Sequence, residues 1–98
     1  MRRVRWFDEA IDDLVAHVEY VAGDSPLAAR HIAERIRDVG ARLGEFATGR
    51  PGIVPETFER VLVDIPYVLV YSVDLVDGAE VVSILRVVHQ AQQWPPEE

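Results

Sequence analysis

The run from Pro66 to Pro95, PYVLVYSVDLVDGAEVVSILRVVHQAQQWP, constrains this chain more than any other stretch. It reads as two apolar strands joined by a turn at Asp77-Gly78, with Arg86 and His89 near the end of the second strand and a Trp94-Pro95 tail. Both strands are apolar on both faces, the pattern of a sheet covered on each side. A chain of 98 residues buries only a modest share of its unfolded surface, ~60–65% by size scaling, and has little left over to cover two faces. The missing cover is therefore expected from another polypeptide.

Composition narrows the chemistry. With no cysteine, and with His17, His31 and His89 far apart, neither a metal nor another cofactor is expected. No stretch approaches the ~18–20 consecutive apolar residues of a membrane span, and MRRVRW leads into acidic residues rather than an apolar run. The expectation is a cytoplasmic chain without a signal peptide, one domain over residues 1–98. All ten basic residues are arginine, and seventeen acids leave a net charge of -7. The first half holds seven arginines against nine acids and the half from Arg50 onward three against eight. Such a balance disfavours direct nucleic-acid binding, which needs a basic face, and suits a cationic protein partner or solubility.

Val4 and Trp6 alternate with Arg3 and Arg5 as a short first strand. Asp8 is placed to cap the helix that follows, in which Ile11, Leu14, Val15, Val18, Val21 and Ala22 form an apolar stripe. The opposite face, Asp12, Asp13, His17 and Glu19, reads as solvated. Gly23-Asp24 breaks the helix, and Ser25-Pro26 starts a second with an N-cap hydroxyl and a first-turn proline. Ala29, Ile32, Ile36, Val39, Leu43 and Phe46 make its seam, while Ala28, Ala29, Ala33 and Gly40 permit close approach. Arg30, Arg35, Arg37 and Arg42 alternate with acids as a solvated face.

Ala47 to Pro55 is a Gly/Pro-rich loop. In the strand from Thr57 to Asp64, Phe58, Arg60 and Leu62 share one side. From Tyr67 to Asp74, Tyr67, Leu69, Tyr71 and Val73 share a face. In the last strand, Glu80 to Val88, Val82, Ile84, Arg86 and Val88 line up opposite Val81, Ser83, Leu85 and Val87. The connection from Leu75 to Ala79 reads as longer than a two-residue hairpin. The fold class is α+β: an antiparallel helix hairpin on one face of a twisted, mainly antiparallel sheet of about four strands, in the order β-α-α-β-β-β.

The runs GRPG (Gly49 to Gly52), PETFER (Pro55 to Arg60), PYVLVYSV (Pro66 to Val73) and ILRVVHQAQQWP (Ile84 to Pro95) resemble the ParE/RelE superfamily of toxins from type II toxin–antitoxin systems. The resemblance is closest to the ParE-like branch. The Trp-containing first strand, Asp13-Leu14 and the Ser-Pro-x-Ala-Ala start of the second helix agree with it, so it spans essentially the whole chain. It implies a co-expressed antitoxin whose C-terminal segment wraps and blocks the toxin in a hetero-oligomer, and growth inhibition when the toxin is free. RelE-like members cleave mRNA on the ribosome without a metal, using clustered cationic and aromatic side chains; ParE-like members inhibit DNA gyrase by protein contact. Where relatives commonly read Gly-Thr-Arg-Glu, this chain has Glu56-Thr57-Phe58-Glu59. A cation is thus missing at Phe58, and Arg60 stands two residues on, where it could compensate.

For RNA cleavage the candidates are Arg60, Arg86 and His89, with Arg86 stabilising charge, His89 as acid and Arg50 assisting. Tyr67 and Tyr71 could stack on bases, although tyrosines on a central strand are more often core. Arg86 is more often paired to a carboxylate such as Glu59 or Glu80 than catalytic. His89 reads equally as a structural hydrogen-bonder or a functional group. No general base stands out, and the absence of lysine weakens this reading. Gyrase inhibition therefore ranks first, with Arg50, Arg86, His89 and Trp94 as target-binding candidates. Phe58, Leu62, Tyr67, Leu69 and Tyr71 are the antitoxin-binding candidates. A degenerate, non-toxic interaction module is a third reading, supported by Phe58.

Overall fold

The computed structural model describes residues 1–96. In chain order it has β1 (Arg3–Trp6), α1 (Asp8–Ala22), α2 (Pro26–Arg42), β2 (Arg50–Pro51), β3 (Phe58–Val61), β4 (Tyr67–Val76) and β5 (Ala79–His89). The strands form one sheet in the order β1-β5-β4-β3-β2. Only β1 runs parallel to its neighbour, β5. The fifth strand is the two-residue β2, which pairs Arg50 with Glu59 and Pro51 with Phe58 inside the stretch read as loop.

The helices form where periodicity and capping place them. The Ser25 hydroxyl accepts the Ala28 amide at 3.1 Å, and Pro26 opens α2. At α1 the cap position is Phe7, without a side-chain bond, and Asp8 and Glu9 act instead as first-turn acids facing the positive helix end. Ala29, Ile36, Val39 and Leu43 of α2 are buried, but α2 ends at Arg42 and leaves Phe46 70% exposed. On α1 the inward line is Ala10, Asp13, Leu14 and His17, and Ile11 and Val15 stay exposed. Leu14, Val18, Val21 and Ala22 of the expected stripe are partly buried as well, so Ile11 and Val15 alone of that stripe depart from it. Gly40 lets α2 lie close to the sheet, because a Cβ there would stand 2.6 Å from Trp6 Cζ2.

Asp77 (φ 51°) and Gly78 (φ 81°) close a two-residue hairpin between the paired Val76 and Ala79, tighter than expected. Two successive left-handed residues match the right-handed twist of the strands, which is why Asp-Gly suits the position.

A second departure matters more. Opposite the Val70–Tyr71 step, β5 spends an extra residue: Tyr71 pairs with Ile84 and Val70 with Arg86, leaving Leu85 as a bulge. Val82 and Ile84 face the helices together with Val87, whereas Arg86 and Val88 turn to the opposite face. The expected alignment of Val82, Ile84, Arg86 and Val88 on one side is corrected by that residue.

The helix-side core gathers Leu62, Tyr67, Leu69, Tyr71, Val82, Ile84 and Val87 beneath α1 and α2. The outer face is not bare either, since Val70 and Val88 are 1% and 3% exposed. Its cover is the chain's own. Ser72 and Ser83 donate to Asp74 at 2.9 and 2.7 Å, and Arg5 Nε donates to Ser83 Oγ at 2.7 Å. Farther along, the tail lays Trp94 over Arg86 at 5.3 Å. The expectation of an uncovered apolar face gives way to one covered by polar side chains and the tail. No helix among the described residues is long and apolar enough to cross a membrane.

Candidate functional site

β1 accompanies β5 only from Val81 to Ile84, and Phe7 N–H extends the contact to the Ile84 carbonyl at 2.9 Å. Beyond that point β5 would show an open edge, and α1 closes it with side chains. The Asp13 carboxylate accepts the Val87 amide at 2.9 Å and receives Arg86 Nε at 2.7 Å and Nη2 at 3.0 Å. One turn later on the same helix face, His17 Nε2 lies 3.1 Å from the Val87 carbonyl. A carbonyl only accepts, so Nε2 carries the hydrogen. The hydrogen bond from Arg86 to Asp13 raises the guanidinium pKa further above its usual range, against an opposing burial effect.

The His17 ring meets Tyr67 edge-on at 4.9 Å, and Tyr67 meets His89 at 5.2 Å. Burial pushes the Tyr67 phenol up. His89 Nδ1 accepts the Ala91 amide at 3.0 Å, which fixes the start of the tail and leaves the hydrogen on Nε2, without an acceptor among the described residues. Beside it opens a depression of about 390 Å³ on the outer face, lined by Arg50, His89 and Trp94 over a floor of Val61, Val68 and Val88. Glu59, 5% exposed, holds Arg50 through Nε at 3.2 Å and Nη2 at 3.0 Å and accepts the Ile53 amide at 3.2 Å. The Trp94 indole N–H is buried with no acceptor among the described residues.

Of the residues expected at a site, Arg50, His89 and Trp94 come together, with Arg86 beneath Trp94. Arg60 does not join them. It pairs across the sheet with Leu69, on the helix side, and its guanidinium bonds the Val61 carbonyl. The expected partners of Arg86 are also corrected: Glu59 is taken by Arg50 and Glu80 by Arg2, while Asp13 reaches Arg86. Leu62, Tyr67, Leu69 and Tyr71, expected on an antitoxin-binding surface, are buried in the core because α1 and α2 cover that face. Phe58 alone of that set stays accessible, 37% exposed and stacked on Tyr71 at 5.5 Å. His17, expected in solvent, is drawn into the helix–sheet interface by its bond to Val87. Asp13, His17 and Glu59 were missing from the expected site. The i,i+4 spacing of Asp13 and His17 was the available signal, on a helix face that composition alone reads as solvated.

Residues 4–94 match the family profile described as ParE toxin of type II toxin–antitoxin system, parDE. The chain is 39% identical over 95 residues to the candidate toxin Y4kP of Sinorhizobium fredii, covering 96% of this chain and 94% of that one. It is 35% identical over 92 residues to toxin RelE2 of Caulobacter vibrioides, covering 94% and 99%. A solved chain from the chromosomal ParDE toxin–antitoxin system of P. aeruginosa superposes with a TM-score of 0.79 at 26% identity, over 91% of this chain and 96% of that one. With its helix hairpin on a mostly antiparallel sheet and agreement along nearly its whole length, the chain belongs to the ParE toxin family of type II toxin–antitoxin systems.

Proposed function

We propose that this toxin arrests growth by binding DNA gyrase in the cytoplasm as a protein ligand, without cutting RNA, and that a cognate antitoxin neutralises it by direct contact. The observation that carries the reading is how the cations near the sheet end are used. Arg86 is committed to Asp13 and Arg50 to Glu59, and Arg60, which reaches the β3 edge from the helix side, bonds the Val61 carbonyl and does not line the depression beside His89 and Trp94. A phosphate-cleaving site needs unshared cations converging on one phosphate, with a base and an acid in reach. Here Arg86 and Arg50 are already paired with carboxylates, whereas Trp94, His89 and the adjoining depression offer a shaped contact surface.

The test sets supercoiling by purified gyrase beside ribosome-dependent mRNA cleavage, with the chain alone and with the product of its neighbouring gene. Supercoiling blocked by the free chain, restored by the neighbour, with mRNA intact, is expected. Cut mRNA with normal supercoiling would instead favour a RelE-like nuclease, for which His89 and Arg50 on one depression are the best support. No effect in either assay, with the neighbour still bound, would identify an interaction module.

A further inference from the structure

The helix hairpin is electrically lopsided. α1 carries Asp8, Glu9, Asp12, Asp13 and Glu19 with neither arginine nor lysine, whereas α2 carries Arg30, Arg35, Arg37 and Arg42 against Glu34 and Asp38. Asp13 is engaged by Arg86, and Arg35 by Asp64. Asp12, Glu19, Arg30 and Arg37 are exposed and have no ion-pair partner among the described residues.

These four charges share the face that points away from the sheet. Ala10 is buried and Asp13 turns to the β5 edge, so at ~100° per residue Asp12 and Glu19 stand opposite the sheet, with Ile11 and Val15 between them and α2. On α2, Arg35 marks the flank toward Asp64, which turns Arg30 and Arg37 to the flank nearer α1. Ile11, Val15 and Leu27 are 44%, 48% and 77% exposed. The face therefore has an acidic rail on α1, a basic rail on α2 interrupted by Glu34, and apolar residues among them.

A face polarised across its width selects how it can meet a copy of itself. A twofold axis across the helices would lay α1 on α1, acid on acid, which repels. An axis along the groove lays α1 of each copy on α2 of the other, acid on base, twice by symmetry. Counting away from the turn between Ala22 and Pro26 sets Glu19 level with Arg30 and Asp12 level with Arg37, and that axis preserves the levels. Ile11 and Val15, nearest the axis, then meet their own counterparts.

We propose that this chain self-associates through its helix hairpin, with Glu19–Arg30 and Asp12–Arg37 pairs between copies around a seam of Ile11 and Val15. Two helices ~9 Å apart and about 20 Å long make a small face, at the low end of specific interfaces. Association is accordingly weak, with Kd of about 10–100 μM. The depression beside His89 and Trp94 lies on the other side of the sheet and stays open in both copies.

Sedimentation equilibrium of the free full chain, from about 1 to 300 μM, tests this, with thermal melts confirming that each variant folds. The wild type should pass from monomer toward dimer, less readily at high salt. E19R and R30E should each weaken the dimer about tenfold. An equimolar mixture of the two should recover it, because each mixed dimer regains both Glu–Arg pairs, and so should the double variant E19R/R30E. A wild type that stays monomeric throughout overturns the proposal. So does a dimer that neither variant weakens, which places the contact on another face. Tighter association by E19R would show α1 lying on α1 and overturn it as well.

Discussion

The Asp13 carboxylate stands where a neighbouring strand's carbonyl would stand, accepting the Val87 amide at 2.9 Å while two Arg86 nitrogens hold it from the side. One side chain therefore finishes a sheet edge and neutralises a half-buried cation. Replacing it strands both groups.

Asp13→Ala is expected to lower stability by about 2–3 kcal/mol, because the Val87 amide and the Arg86 guanidinium both lose their acceptor. Asp13→Asn keeps one acceptor oxygen and should cost less. Arg86→Met, which removes the charge along with its need for a partner, should be milder than Asp13→Ala. Urea titrations of the three variants check this order; equal midpoints would mean that solvent, not Asp13, satisfies the edge.

The two core tyrosines set an alkaline limit. Burial raises the phenol pKa of Tyr67 and Tyr71 above the ordinary 10.0. A group raised on folding contributes stability that is complete below its unfolded pKa and is lost as pH rises through the folded value. The melting temperature should accordingly hold through neutral pH and fall above about pH 10. Tyr71 also donates to the Thr48 carbonyl at 2.8 Å and so ties down the loop before β2. Tyr71→Phe should start about 1 kcal/mol less stable and decline less steeply with alkali. Thermal melts from pH 7 upward measure both effects, and parallel curves would deny the tyrosine its part.

Much of this fold is legible in the sequence. The Ser25-Pro26 start of α2, the alternation in β1 and β4, and the helix hairpin on a mainly antiparallel sheet follow from local rules and were met. Long-range facts were not legible. Leu85 is an ordinary apolar residue, and nothing beside it announces the bulge that turns Arg86 to the other face. Asp13 lies 73 residues from Arg86, so a helix read in isolation gives it to solvent. Tyr67 and Tyr71 lie in the core and not on a partner surface, because two helices cover one face of the sheet more fully than chain length suggests.

Gly40 sets helix propensity against packing. Alanine would favour α2 by about 1 kcal/mol, but its Cβ would stand 2.6 Å from Trp6 Cζ2 and 3.0 Å from Ile84 Cδ1. Both neighbours belong to the core layer, where forced displacement costs typically ~1–3 kcal/mol. Gly40→Ala should therefore destabilise by about 1 kcal/mol net, and by no more than about 2, read as a lower urea midpoint. A rise in the midpoint would show that Trp6 can move aside freely.

Glu56 makes the opposite case. It adopts φ 67°, the left-handed region, in the slot where the resemblance expects glycine. A non-glycine residue there costs roughly 1–2 kcal/mol. Glycine in turn loses more chain entropy on folding, about 0.4–1 kcal/mol. The difference favours Glu56→Gly by about 0.5–1 kcal/mol, a rise in melting temperature of roughly 2–8 °C at this chain length. Glu56→Ala discriminates the cause, because alanine removes the charge and keeps the Cβ. If strain at φ 67° is the cause, alanine leaves the melting temperature near that of Glu56 and only glycine raises it. An equal rise for both would trace the effect to the carboxylate, which lies in a chain already carrying -7.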